Sequence, residues 1–179
     1  MKLKVFFILI LNLLLISCSK EERDMHKRNK IEQKLLLKTT NQLESEKQLK
    51  FTGYGGSSDK GLTMLSLSFE ADKNYDIQTG RKLIVYCAEK FLENINSDEK
   101  IRPYLKSYPF HSKDIQLFIS INNKSKISDE NHLESIILGK GSIDYLIYDE
   151  NHRLKTVREE TYEEALNIIQ KQKKEKNEI

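Results

Sequence analysis

The sequence predicts an α+β domain in two layers, a mainly antiparallel sheet of about four to five strands carrying two helices, placed after a cleaved signal and a polar stalk. Three observations lead there. Apolar residues alternate with polar ones over residues 62–69, 115–121 and 142–148, the period of half-buried strands. They recur at 3.6-residue spacing over residues 81–96, the stripe of an amphipathic helix. A Thr161-Tyr-Glu-Glu164 capping box then opens a second helix after the strands.

Taken from the start, residues 1–17 read MKLKVFFILILNLLLIS. Lys2 and Lys4 form a positive start, and residues 5–16 form an apolar run broken only by Asn12. A membrane-spanning helix needs about 20 apolar residues, so this run is too short to span and has the build of a secretory signal. Cys18 follows Leu15-Ile16-Ser17 at the place where such a signal would be cut.

Leu15-Ile16-Ser17-Cys18 resembles the lipobox of bacterial lipoproteins. The resemblance implies that Cys18 receives a diacylglycerol on its thiol, that cleavage makes it the first residue of the mature chain, and that its amine accepts a further acyl chain such as palmitate. It implies no other cofactor. The partner so implied is a lipid bilayer, and the location is the cell envelope, with the protein anchored to a membrane it does not cross. Ser19 rather than Asp after the cysteine points to the outer membrane if the cell is Gram-negative. Each buried methylene of such an anchor contributes about 0.8 kcal/mol, so two or three chains hold durably where one does not.

Residues 18–60 read as a lipidated polar stalk and linker. Ile31, Leu35 and Leu36 recur at helical spacing, but Thr39-Thr40-Asn41 interrupts them, leaving a marginal helix or a solvated stalk. The glycine-rich run 51–59, FTGYGGSSD, lacks both a preceding strand and a closing Gly-Lys-Ser/Thr, so it reads as a flexible linker rather than a phosphate loop. The domain is expected over residues 61–173, with 174–179 a charged tail.

Within it, residues 62–69 form a strand and 72–80 a loop in which Asp76 or Thr79 caps the next helix. That helix, 81–96, presents Leu83, Ile84, Cys87, Ala88, Phe91, Leu92 and Ile95 on its apolar side. Residues 98–103 make a short turn, and the aromatic-rich connection to Phe110 covers the helix end. A strand at 114–121 follows, long enough after the first for the two to run parallel. A polar loop at 122–131 leads to a strand at 133–138, broken or bulged by Gly139-Lys-Gly141. The last strands, 142–148 and 153–159, form a hairpin around Asp149-Glu-Asn-His152.

Composition narrows the function classes. Removing Lys2 and Lys4 with the signal leaves 28 basic residues against 27 acidic ones, a net charge of +1. A field that weak does not point to nucleic acid. Cys87 is the only cysteine besides Cys18, so no disulfide closes within the domain, and its place in the apolar stripe marks it as a packing residue. Asp-Glu-Asn-His occurs twice, at 129–132 and 149–152, and both copies fall at strand ends, where Asp and Asn close turns on their own backbone. His26, His111, His132 and His152 lie in stalk or loops with no nucleophile beside them. No catalytic or metal-binding residue is assigned; the one site residue is Cys18, for lipidation.

The run 80–110, GRKLIVYCAEKFLENINSDEKIRPYLKSYPF, is similar to a segment of uncharacterised small bacterial lipoproteins, which implies a shared domain and brings no activity with it. The reading is therefore a non-enzymatic interaction or accessory domain on a membrane anchor, with an envelope protein as a candidate partner. The alternatives are an envelope hydrolase or metal-dependent enzyme using the two Asp-Glu-Asn-His turns, and a small-ligand binding module built on Tyr104, Tyr108 and Phe110.

Overall fold

A computed structural model describes residues 2–122, 129 and 131–177. The chain divides into two compact units, Met1–Lys34 and Leu35–Ile179. Helix α1 (Lys2–Lys47) begins in the first. Within that unit, His26 and Met25 are exposed, and the His26 ring lies 4.0 Å from the Glu22 carboxylate one turn away.

The second unit is α+β, as the periodicities predict. It holds β1 (Leu49–Ser58), β2 (Leu62–Ala71), α2 (Ile77–Ser97), β3 (Ile115–Ile121), β4 (Ser135–Gly139), β5 (Ser142–Tyr148), β6 (Leu154–Thr161) and α3 (Tyr162–Asn177). The strands lie side by side in chain order as one mixed sheet of six, one more than the upper expectation. β1 and β2 form an antiparallel hairpin, α2 carries the chain across so that β3 runs parallel to β2, and β3 to β6 meander.

Alternation sets which face is buried. Leu65, Leu67 and Phe69 of β2 pair with Ile115, Leu117 and Ile119 of β3, and Leu117 and Ile119 pair with Leu138 and Ile136 of β4. All of these are fully buried. Ile84, Cys87, Ala88, Phe91 and Ile95 of α2 are buried as well, at the helical spacing the sequence shows. Gly80 lets α2 come close, for a Cβ there would meet Ile136 Cδ1 at 2.8 Å. α2 starts earlier than its apolar stripe suggests, because Asp76 caps it: Asp76 Oδ1 accepts the Thr79 N–H at 2.7 Å and Thr79 Oγ1 accepts the Asp76 N–H at 3.1 Å. The capping box of α3 forms as its residues predict, with Thr161 N–H on Glu164 Oε2 at 2.8 Å and Glu164 N–H on Thr161 Oγ1 at 3.2 Å.

Three boundaries are corrected. The stalk reading fails from Leu35 onward: residues 35–47 are helical, and Leu35, Leu36, Thr39, Thr40 and Leu43 are buried in the second unit. The flexible linker is strand β1. Its glycines weaken it as a free segment, but pairing with β2 supplies its hydrogen bonds, and a Cβ on Gly55 would meet Ser66 Oγ at 2.9 Å. Gly139-Lys-Gly141 does break the strand: β4 ends at Gly139 and β5 starts at Ser142. Lys140 and Gly141 have φ of 53° and 82°, the left-handed pair of a two-residue hairpin joining β4 to β5. Toward the C-terminus α3 runs on to Asn177, past the expected start of the charged tail. Most of the loop expected at 122–131 lies outside the described residues.

Candidate lysine-rimmed groove

The periodicity that buries one side of α2 exposes the other. Lys82 and Glu89 are exposed and Tyr86 half-buried, at spacings of four and three that place them on one face. The end of α1 lies against this face. The Tyr86 hydroxyl donates to the Glu46 carboxylate, and Lys47 Nζ stands 3.7 Å from the centre of the Tyr86 ring. That bond is the largest cause holding Glu46 below the ordinary carboxylate range, and it pushes the Tyr86 phenol up. Deeper in, Asn94 Nδ2 donates to Thr39 Oγ1 at 3.2 Å and to Gln42 Oε1 at 3.1 Å, which fastens residues 35–47 to α2.

Where α1, α2 and α3 meet in the second unit, they leave a cavity of about 340 Å³. Val85, Ile169 and the Tyr86 ring give it apolar walls, and Lys47, Lys82, Lys173 and Glu89 stand around it. A second concavity of about 310 Å³ shares Lys47 and Lys82 and adds Lys73, Tyr75, Leu83 and Glu46. Four lysines and two carboxylates thus line the two. Among the described residues, no ion pair engages Lys73, Lys82 or Lys173.

Next to Lys82 on the same helix, Arg81 belongs to a buried charged cluster of a different kind. Arg81 grips Glu160 with two bonds, Nε to Oε1 at 2.6 Å and Nη2 to Oε2 at 2.9 Å, while the Tyr145 hydroxyl donates to Oε1 at 2.6 Å. All three side chains are buried. Burial first, and then the bond to Glu160, push the Tyr145 phenol far above its ordinary value. Interlocked in this way, with Arg158 Nη2 a further 3.7 Å from Glu160 Oε2, the cluster ties α2 to β5 and β6.

The residues singled out in the sequence are placed as follows. Cys18 lies within α1, in the stretch whose side chains are outside the described set. Cys87 is fully buried, and burial pushes its thiol up to about 12, which suits packing and removes the thiolate that reactivity requires. The two Asp-Glu-Asn-His segments do turn chemistry. Asp129 Oδ1 accepts the Asn131 N–H at 2.8 Å and sits 2.9 Å from His132 Nδ1, whereas Asp149 Oδ1 accepts the N–H groups of Asn151 and Arg153. Among the described residues, no group of three or more His, Cys, Asp and Glu side chains is placed to hold a metal. The aromatic trio is split: Phe110 is core, Tyr104 is half-buried, and Tyr108 is exposed beneath the Arg102 guanidinium at 4.5 Å. Among the described residues, no helix is long and apolar enough to cross a membrane.

Sequence reasoning missed the groove. Nothing in the spacing of Lys82 and Tyr86 along α2 says that Lys47 and Lys173 arrive beside them. In comparisons with known proteins, no family model, no curated protein and no solved structure matches the chain.

Proposed function

We propose that this chain is a lipoprotein of a bacterial cell envelope, held on a membrane by acyl chains on Cys18, and that its α+β unit serves as a non-enzymatic accessory module. The observation that carries the reading is the Leu15-Ile16-Ser17-Cys18 tetrad at the end of a 12-residue apolar run behind Lys2 and Lys4. The accessory role is supported by how the reactive side chains are spent. The Cys87 thiol is packed in the core, Arg81 and Glu160 are engaged in a buried ion pair, and Asp129 and Asp149 hold turns. The test is metabolic labelling with palmitate followed by membrane fractionation. The wild-type chain is expected to carry label and to sediment with membranes, and Cys18→Ala to lose both. Label retained in Cys18→Ala would defeat the reading.

A further inference from the structure

We propose that the lysine-rimmed cavity formed by residue 47, α2 and α3 binds a small amphipathic anion, with an anionic head among Lys47, Lys82 and Lys173 and a short apolar body against Val85, Ile169 and the Tyr86 ring. Three observations converge on that chemistry. The first is charge: among the described residues, no ion pair engages Lys82 or Lys173, and Glu89 is the only carboxylate that lines this cavity. The second is the wall, where the half-buried Tyr86 ring, with the edges of Val85 and Ile169 beside it, offers an apolar surface to a hydrocarbon group and nothing to a fully hydrated ion. The third is size. At about 340 Å³, the cavity lies near the lower end of the roughly 300–1,000 Å³ of small-molecule pockets, which fits a head group with a short chain.

The site is also built rather than incidental. Tyr86 is held in place from α1 by its bond to Glu46 and by the Lys47 ammonium over its ring, so one wall and one cation are positioned together. Val85 and Ile169 are anchored by burial. The inference concerns residues 47–173 and does not depend on Cys18, so its failure and the failure of the anchoring reading are separate outcomes.

The test uses the full chain in phosphatidylcholine nanodiscs and isothermal titration calorimetry, with empty nanodiscs as the blank. The probes are octyl phosphate and octanoate below their micelle concentrations, octanol as the uncharged control, and inorganic phosphate as the control without a chain. One amphipathic anion is expected to bind per chain, and the stronger of octyl phosphate and octanoate identifies the head group. Because charge-assisted hydrogen bonds to the head group would be lost, Lys82→Gln with Lys173→Gln is expected to weaken binding at least about tenfold. Octanol and inorganic phosphate are expected to bind at least about tenfold more weakly than the better anion. Three results would overturn the inference: no heat above the blank for either anion, inorganic phosphate binding as tightly as octyl phosphate, or a double variant that melts like wild type and binds like it.

Discussion

Arg81 and Lys82 are adjacent on α2, about 100° apart around its axis, and they have opposite fates. Arg81 is buried, held by two bonds to Glu160, with Tyr145 on the same carboxylate. Lys82 is exposed on the rim of two concavities, and no ion pair engages it among the described residues. The difference teaches which charges of a heavily charged helix are structural and which remain free to meet a ligand. A guanidinium, with its planar fork, satisfies a buried carboxylate at two points; an ammonium on a flexible stem keeps its hydration and stays outside.

The sharpest way to break that contrast is Glu160→Ala. It strands the Arg81 guanidinium in the interior, and urea unfolding is expected to show a loss of about 3–5 kcal/mol. Replacing both partners with apolar residues, Arg81→Met with Glu160→Leu, is expected to restore most of it, because neither desolvated charge remains. A loss below about 1 kcal/mol for Glu160→Ala would mean that Arg81 reaches water and differs little from Lys82.

A smaller effect is expected of Tyr145→Phe, which removes one donor from the buried carboxylate and is expected to cost about 1.5–3 kcal/mol. The same residue sharpens the contrast through pH. Its phenol titrates higher folded than unfolded, so the folded state binds the extra proton. Its stabilisation is complete below the ordinary phenol value of about 10 and is lost as pH rises beyond it. Cys87, raised by burial to about 12, adds a loss of the same sign that begins nearer its ordinary value. Melting temperatures measured from neutral into alkaline pH are expected to fall for the wild-type chain and to fall less steeply for Tyr145→Phe. A parallel fall in both would remove Tyr145 from the account.

Lys82→Gln stands at the other end. An exposed lysine that no ion pair engages among the described residues is expected to change unfolding free energy by no more than about 0.5 kcal/mol in the same urea measurement. A larger loss would show that the groove's cations hold α1, α2 and α3 together rather than standing ready for a ligand.

Much of this architecture was legible in the residues. Alternation in 115–121 and 142–148 marks β3 and β5 because buried residues fall at every second position, along the whole of β3 and as far as Tyr145 in β5. The stripe from Leu83 to Ile95 marks α2, and Thr161 with Glu164 marks the start of α3, since capping depends on residues three apart. β1 was not legible. Gly53, Gly55 and Gly56 read as a linker because a strand's hydrogen bonds belong to its neighbour and leave no trace in its own composition. Residues 35–47 were equally obscured: charged and polar residues surround Leu35, Leu36 and Leu43, and their stripe counts only once α2 is there to cover it.

By itself, the sequence determined the α+β class, the positions of most strands and of α2 and α3, and the Leu15–Cys18 tetrad on which the anchoring proposal rests. These follow from spacing along the chain, which local sterics and backbone hydrogen bonding convert directly into strand, helix and cap. Only the tertiary structure decided that residues 35–58 belong to the folded unit, that Arg81 is enclosed while Lys82 is not, and that Lys47, Lys82 and Lys173 surround one cavity. Those outcomes depend on which segments come into contact across long stretches of chain, and burial and charge pairing are properties of the contact rather than of either segment alone.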